Sequence, residues 1–258
     1  MTVINSDSSA FVAAYASGEN GEKLPVWAGN PSTLPRLQLL SGHVVQRRDL
    51  KLVPAAFQLF NVLTVDECER LIRLSTELGY HQDAAIALPR EIRHNENVVW
   101  LADELTIELL WSRIEGAINQ DVLAYGGKRA VGINPRWRFY RYQRGDFFKL
   151  HKDGSCSSSR LVGAEMQQDL SGGMSQMSLL LLLNDDFEGG ATRFLVNADD
   201  PAVPPRYYNR TKEIEVRTPR GAALCFPHGE HPLQCSHSGD VILDGCKYII
   251  RTDVFFQA

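Results

Sequence analysis

The sequence predicts an α+β chain in which a helical layer supports a β-sandwich or jelly roll. Two segments with helical periodicity lie before residue 123, and several short β-prone segments follow Gly126 and Gly127. Helices followed by a run of strands are typical of this class. Helices of crossover length do not separate the strand-like segments, which argues against doubly wound sheets and parallel barrels.

The first helix is predicted to begin after Thr64. Thr64 and Glu67 form a T-x-x-E capping box, which satisfies two free backbone N–H groups at a helix N-terminus. Gly79 is placed to end the helix, because glycine tolerates the left-handed conformation common at helix C-termini. A second amphipathic helix is predicted over roughly 103–122.

Six later segments have the β-branched and aromatic character of strands, and Gly, Pro, Asp and Asn clusters separate them. They are 137–143, 175–184, 192–196, 212–218, 222–226 and 247–256. Residues 154–175 are polar and rich in small side chains, and loops of that length are usually functional or disordered. Two interpretations stay open for this segment, a lid over a site and a mobile insertion.

Composition and charge exclude several classes of protein. The net charge of −4 provides no basic excess for binding nucleic acid, and no apolar run reaches the about 18 residues of a membrane helix. The N-terminus lacks the charged and apolar regions of a signal peptide. Five cysteines without a CxxC pair suit reduced thiols. We therefore expect a cytoplasmic protein that binds neither nucleic acid nor membrane.

One short stretch, FFKLHKDGSC, carries a candidate metal motif. His151 and Asp153 are two residues apart, so in an extended segment their side chains point to the same side. Alone, H-x-D is a weak signal, because most such triplets are solvated loop residues. Three further histidines, His228, His231 and His237, cluster much later in the chain, close to the C-terminal strand-like segment. Two imidazoles and one carboxylate on a β-scaffold would form the facial triad of non-haem Fe(II) oxygenases.

Several stretches in the second half of the chain occur in the order of one family's motifs. They are RYQRGDFFKLHKD, LLLLLNDDFEGGATRF, TPRGAALCFPH and HSGDVILDGCKYIIRTDV. In these stretches the chain resembles the prolyl 4-hydroxylase-like branch of the 2-oxoglutarate/Fe(II)-dependent dioxygenases. The resemblance is clear from about 135 to 256, weaker near Leu63 and 93–95, and absent over 1–50.

The resemblance implies a double-stranded β-helix, a jelly-roll or cupin-like core supported by N-terminal helices. We expect a variable N-terminal extension at 1–50 and a single dioxygenase domain at 51–258. Within that domain, 51–130 would provide the helical support and 131–258 the jelly-roll core.

The family's iron ligands align with His151, Asp153 and His237. Lys247, ten residues after His237, aligns with the basic residue that holds the distal carboxylate of 2-oxoglutarate. Arg251 shares the strand parity of Lys247 and could hold the same carboxylate as a bidentate clamp. An ion pair with a neighbouring acid is the other interpretation of Arg251.

The resemblance also suggests roles outside the iron ligands. Tyr142 occupies the position of a tyrosine that hydrogen-bonds the cosubstrate, while Arg93 and Asn95 fall in a region that often approaches substrate in this family. Arg138 shares the strand face of Tyr142, and for this polar residue contact with cosubstrate or with substrate stays open. His231 is a competing third metal ligand, although it departs from the family spacing. The implied cofactors are Fe(II), 2-oxoglutarate and O2, with ascorbate as a further candidate.

The activity implied is hydroxylation of an unactivated C–H bond, with release of succinate and CO2. The expected substrate is a prolyl residue of a peptide, a free amino acid or another small metabolite. A different class stays open, a cupin-like β-barrel that binds metal without turnover. The mildly acidic balance argues against a third class, the nucleic-acid dealkylases of the same superfamily.

Overall fold

The computed structural model describes residues 10–18, 22–29, 37–39, 42–82, 89–205 and 210–257. Parts of the predicted extension at 1–50 therefore lie outside the described residues. The described chain is mostly β, with two α-helices and a short 3₁₀ turn at Leu123–Tyr125.

The described residues form nineteen strands, numbered here in chain order. β1 to β9 are Ala10–Ser17, Lys23–Gly29, Gln46–Asp49, Phe57–Phe60, Arg93–His94, Glu96–Leu101, Ala130–Ile133, Arg136–Tyr142 and Phe147–Lys152. β10 to β14 are Ser157–Val162, Glu165–Met174, Met177–Leu182, Glu188–Gly189 and Thr192–Asn197. β15 to β19 are Thr211–Val216, Ala223–Pro227, Ser236–Gly239, Ile242–Asp244 and Lys247–Phe256.

The helices are α1, Val65–Leu78, and α2, Glu104–Ile118. The predicted capping box is present at α1, where Thr64 and Glu67 each accept a hydrogen bond from the other's backbone N–H. Asp103 caps α2 in a simpler way, by accepting from the backbone N–H of Thr106. In the described chain neither helix is long and apolar enough to cross a bilayer.

Two facing sheets form the core of the fold. The larger has ten strands in the order β1-β2-β6-β8-β19-β12-β16-β4-β3, with β7 paired to β19. The smaller has five strands in the order β15-β14-β17-β9-β5. β10 pairs with β11, and β13 pairs with β18. The pairing is antiparallel except between β2 and β6, so the arrangement is that of a jelly-roll core.

Successive side chains of β12 point to opposite faces of the large sheet, so this strand packs against two layers. Leu179 packs with Leu71 of α1 and Ile114 of α2 on the helical side of the large sheet. Leu180, the next residue, points to the opposite face and packs with Phe194 of the small sheet. An unbroken run of leucines is therefore explained by a strand that is buried on both faces.

The expectation of N-terminal helices is not supported. The first described residues form the β1–β2 hairpin, and β2 adds it to the edge of the large sheet through β6. Both helices come later, after four strands. The alternation of 10–29 is short and is interrupted at a bulge between Val12 and Ala14, so its strand signal is weak. The division of the chain at residue 50 stays a prediction.

The segment 154–175 is not a structureless loop. It contains the β10–β11 hairpin, whose register runs from Ser157 opposite Met174 to Val162 opposite Glu165. β10 contacts β6 and β8, and β11 contacts β1 and β19. Polar and small residues fill both strands, so the sequence lacks the apolar periodicity that predicts a strand.

Candidate metal centre

The two facing histidines are positioned by the pairing of β9 with β17, where His237 lies opposite His151. Asp153 follows β9 directly, so its carboxylate returns toward both rings. One potential ligand atom from each residue lies within 4.8 Å of the others. The Nε2 atom of His151 is 3.6 Å from Asp153 Oδ1, and that of His237 is 3.8 Å from Asp153 Oδ2.

Backbone carbonyls orient both imidazole rings. His151 Nδ1 lies 2.8 Å from the carbonyl oxygen of Lys149, and His237 Nδ1 lies 3.4 Å from that of Cys235. A carbonyl only accepts, so we assign the proton to each Nδ1, which donates to it. The lone pair of each Nε2 is then free for a metal, the arrangement usual for metal-binding histidines.

The Asp153 carboxylate is buried and held in its charged form. Ser178 Oγ donates to its Oδ2 at 2.6 Å, and Arg251 Nε donates to the same oxygen at 3.2 Å. Burial opposes ionisation, but Arg251, His237 and His151 outweigh it and keep the pKa of Asp153 well below its usual range. Burial also lowers the pKa of His237 to about 4. Asp153 and His237 are therefore in the protonation states that metal ligands require.

Behind Asp153, hydrogen bonds connect it to buried His228. Ser178 has one hydroxyl proton, which goes to Asp153, so His228 Nδ1 must donate to Ser178 Oγ, 2.8 Å away. His228 Nε2 then accepts from Ser175 Oγ at 2.8 Å. The tautomer of His228 is fixed by this chain, and burial lowers its pKa. His228 thus supports a carboxylate that it does not touch.

His231, the competing third ligand, uses both ring nitrogens elsewhere. Its Nε2 donates to the carbonyl oxygen of Ala124 at 2.8 Å, and its Nδ1 accepts from the backbone N–H of Leu233 at 3.0 Å. Its ring also packs against Tyr125. His231 therefore belongs to the scaffold around the 3₁₀ turn.

A pocket lies beside the three candidate ligands, between the two sheets. Its lining includes Tyr140, Tyr142, Phe148, Leu180, Thr192, Asp240, Ile242, Lys247, Ile249 and Arg251 together with His151, Asp153 and His237. Tyr142 lies opposite Lys247 in the β8–β19 register, and Lys247 Nζ is 5.8 Å from the centre of its ring. The pocket wall is therefore largely apolar, with charged groups at the metal-ligand end, at Lys247 and at Asp240, whose carboxylate is paired with Arg193.

Lys247 is a buried cation without an acidic partner. Its Nζ donates to the carbonyl oxygen of Gly190 at 2.6 Å, and no carboxylate of the described residues lies within ion-pair distance. Burial lowers its pKa to about 8. An anion that enters the pocket would therefore stabilise the protonated form of Lys247.

Arg251 and Arg138 are paired within the protein. Arg251 contacts Asp153 as described and reaches Asp253 Oδ1 with its Nη2 at 3.2 Å. Arg138 donates to Asp253 Oδ2 from the neighbouring strand. Burial opposes ionisation of Asp253, but Arg138 and Arg251 outweigh it and lower its pKa. Both predicted arginines therefore already neutralise buried acids.

Arg93 and Asn95 lie on the other side of the pocket. The Arg93 guanidinium is 5.9 Å from the Tyr140 ring centre and 5.7 Å from that of Phe148, two residues of the pocket wall. Asn95 is buried between β5 and β6, and its amide nitrogen has no hydrogen-bond partner among the described residues. Arg93 therefore lies beside two rings of the pocket wall, and no contact of Asn95 with the pocket is observed among the described residues.

Ser178, which contacts Asp153, and Arg136, on a strand that lines the pocket, were not predicted from the sequence. Ser178 is the one polar side chain of MSLLLL, and strand parity places it on the same face as Leu180. Arg136 shares the parity of Arg138, Tyr140 and Tyr142 in RWRFYRY. In both cases the alternation of side chains along the strand is the sequence signal that could have placed the residue on the pocket-facing side.

Models of known families and curated proteins provided no match to the chain. Several solved structures do match the chain. A prolyl-4-hydroxylase from Pseudomonas putida is 17% identical with a TM-score of 0.50, covering 79% of this chain and 94% of that one. A prolyl hydroxylase from Trichoplax adhaerens, in complex with a hypoxia inducible factor oxygen degradation domain peptide fragment, is 15% identical with a TM-score of 0.50. It covers 78% of this chain and 84% of that one.

A viral collagen prolyl hydroxylase from Paramecium Bursaria Chlorella virus-1, in a 2OG complex, is 15% identical with a TM-score of 0.47. It covers 84% of this chain and 98% of that one. The two structures at a TM-score of 0.50 establish that this chain has the prolyl hydroxylase fold. At these identities, a fold does not by itself identify an activity.

Proposed function

We propose that the protein is a 2-oxoglutarate- and Fe(II)-dependent dioxygenase. It hydroxylates an unactivated C–H bond of a prolyl, amino-acid-type or other small-molecule substrate and releases succinate and CO2. One observation carries the proposal: the His151, Asp153 and His237 cluster shares a pocket with Lys247, a buried cation that has no acid in ion-pair contact among the described residues.

The donor set fits Fe(II). Two imidazole Nε2 atoms and one carboxylate would hold the metal through His151, His237 and Asp153, leaving coordination positions open. When bound, iron and 2-oxoglutarate supply the oxidising chemistry with O2. Ser178 and Arg251 hold Asp153 in place, so the carboxylate is ordered before any metal arrives.

Lys247 and Tyr142 bind the distal carboxylate of 2-oxoglutarate in this proposal. Lys247 is preferred over Arg251 because the guanidinium of Arg251 already contacts two aspartates. An incoming carboxylate would give Lys247 the partner it lacks and raise its pKa again. Tyr142 faces Lys247 across the strand pair and is placed to donate to the same carboxylate.

The apolar wall of the pocket excludes water. Tyr140, Phe148 and Ile249 surround the candidate ligands, and Phe148 stacks on the His151 ring with 3.5 Å between ring centres. A dry pocket strengthens each charge–charge contact and limits side reactions of the oxidant. Arg93, beside this wall, is proposed to contact the substrate.

The alternative is a cupin-like barrel that holds a metal without turnover. Such a module needs the three ligands but not a buried cation such as Lys247, whose burial without an acid has a free-energy cost.

The five cysteines are all free, which supports a reducing, cytoplasmic location. Ascorbate is proposed as an accessory reductant, and the substrate is proposed as either a small molecule or a peptide.

The proposal is tested by anaerobic Fe(II) titration and by iron-dependent release of succinate from 2-oxoglutarate. The wild-type protein is expected to do both, and the His151→Ala, Asp153→Ala double variant to do neither. His43→Ala is the control, because the half-buried ring of His43 contacts the carbonyl oxygen of Asn61 and is not part of the cluster. Iron binding without conversion of 2-oxoglutarate would favour the metal-binding alternative, and a double variant that retains both properties would refute the assigned site.

A further inference from the structure

Arg136 lies on the site-facing side of β8. Arg136, Arg138, Tyr140 and Tyr142 alternate along the strand, and the two tyrosines line the pocket. Trp137, on the opposite face, is fully buried in the core beneath the helices. Strand parity therefore directs Arg136 toward the space between the two sheets.

Unlike its neighbour, Arg136 has no partner for its guanidinium. Its Nε is buried without a hydrogen-bond acceptor, and no acid in the described part of the chain pairs with it. Arg138, two residues away, is paired with Asp253. Burial, followed by the charge of Arg138, lowers the pKa of Arg136, yet a guanidinium stays charged in proteins.

The charges around Arg136 do not cancel. Among the described residues, Arg138 and Arg251 pair with two buried carboxylates, from Asp153 and Asp253, and the third guanidinium, from Arg136, pairs with neither. Asp153 is also a proposed metal ligand, so a bound cation would increase the positive excess. The surplus is located at Arg136, the one of the three arginines without an ion pair.

The β10–β11 hairpin covers this position. Asn134 Oδ1 accepts from the backbone N–H of Arg136 at 3.1 Å and from that of Ser159 in β10 at 3.3 Å. Ser159 is 3% exposed. Met166 of β11 packs against a cluster that includes Leu101, the residue opposite Arg136 on β6. The hairpin therefore covers the part of β8 that carries Arg136, whose side chain is half-buried.

Arg136 lies on the same face of β8 as Arg138, which borders the residues that hold Asp153. Arg138 is opposite Arg251 in the β8–β19 register, and Arg251 Nε is 3.2 Å from Asp153. Two residues of strand separate Arg136 from Arg138, which is about 7 Å. A ligand anchored at Arg136 could thus extend from there toward Asp153.

We propose that Arg136 binds the carboxylate of a small carboxylic-acid substrate beneath the β10–β11 hairpin. This inference rests on the proposed dioxygenase function and narrows its substrate class to a free acid. A planar guanidinium matches a carboxylate with two parallel hydrogen bonds, and the orphaned Nε would gain an acceptor. A prolyl residue inside a peptide offers no carboxylate at this point.

The test is calorimetric binding to Fe(II)- and 2-oxoglutarate-loaded protein, kept anaerobic. The probes are the common L-amino acids and simple carboxylic acids of up to six carbons, each paired with its carboxamide. At least one acid is expected to bind about tenfold or more tightly than its amide. In Arg136→Gln this preference for acid over amide is expected to disappear, and in Arg136→Lys to be partly kept.

Arg129→Gln is the matched control, because Arg129 is exposed and its loss changes the net charge equally. Its preference for acids is expected to equal that of the wild type. An acid preference that survives in Arg136→Gln, or a panel in which no acid binds better than its amide, would overturn the inference. Failure of the dioxygenase proposal is a distinct result, since it appears as absent iron or 2-oxoglutarate binding before any probe is added.

Discussion

Two buried cations on β19, four residues apart, have opposite surroundings. Lys247 and Arg251 lie on the same face of the strand and both line the candidate site. Lys247 donates to one carbonyl oxygen, whereas Arg251 contacts Asp153 and Asp253. Arg251 is thus paired with two acids, whereas Lys247 has no acid in ion-pair contact among the described residues, since Asp240 of the same pocket is paired with Arg193.

This difference distinguishes charged groups that stabilise the fold from charged groups that could bind a ligand. Burial lowers the pKa of Lys247 to about 8, since the described residues offer it no acid in ion-pair contact. Burial acts the same way on Arg251, but Asp153 and Asp253 outweigh it and raise the pKa of its guanidinium. Charges that are matched within a protein stabilise its structure, and an unmatched buried charge is a candidate for ligand binding.

The largest expected contrast is in stability without metal or cosubstrate. Arg251→Met leaves two buried aspartates short of a cation, so the free energy of unfolding should fall by about 3–5 kcal/mol. Lys247→Met removes an unpaired charge and should change it by less than about 1 kcal/mol, or raise it. Denaturant titration of both variants measures this contrast. Equal destabilisation by the two changes would contradict the account.

The pH dependence of cosubstrate binding is a second way to distinguish Lys247 from Arg251. Since the pKa of Lys247 is about 8, its proton is lost above that pH. The affinity for 2-oxoglutarate should therefore fall by up to about tenfold per pH unit above 8, and Lys247→Arg should abolish the fall. Calorimetry from pH 7 to 9.5 tests this, and a wild-type affinity that does not change over this range would argue against Lys247.

The lowered pKa of Lys247 also makes the free energy of unfolding depend on pH. The Lys247 pKa is lowered from 10.5 to about 8, so between these values the unfolded chain binds more protons than the folded one. The contribution of Lys247 to the free energy of unfolding therefore rises with pH over this window. Comparing wild type with Lys247→Met from pH 7.5 to 10 isolates it, and a difference that does not depend on pH would contradict the assignment.

The smallest expected effect lies behind the metal ligands. Ser178→Ala removes a hydrogen bond from Asp153 and leaves His228 Nδ1 without its acceptor. Iron affinity should fall roughly tenfold, as is usual when a group that orients a metal ligand is lost. Ser112→Ala, on the exposed face of α2, serves as the control. Iron affinity equal to the control would show that Ser178 does not position Asp153.

The parts of the site that could be predicted are those recorded in local sequence. His151 and Asp153 are two residues apart, and the distance from His237 to Lys247 repeats a recognisable spacing. Strand parity then predicts that Lys247 and Arg251 share a face. These are short-range relations, which a single sequence retains.

The partner of each charge could not be predicted. Arg138 was expected to contact cosubstrate or substrate, yet its acid is Asp253, 115 residues further along the chain. Only the neighbouring positions of β8 and β19 in the large sheet bring them together. The same limit concealed Arg136, whose importance comes from the absence of such an acid among the described residues.

The missed strands have a different cause. β10 and β11 are polar and partly exposed, so no apolar face marks them in the sequence. Their pairing is specified by backbone hydrogen bonds and by contacts with the large sheet. Strands whose burial depends on distant neighbours carry little local signal.

The central claim is that Lys247 is the cation that receives the cosubstrate. It is tested most directly by comparing 2-oxoglutarate with 2-oxobutyrate, which lacks the distal carboxylate, in anaerobic binding to the iron-loaded protein. The wild type should prefer 2-oxoglutarate by about 100-fold, and Lys247→Met should bind the two almost equally. A Lys247→Met variant that keeps the full preference for 2-oxoglutarate would contradict the account.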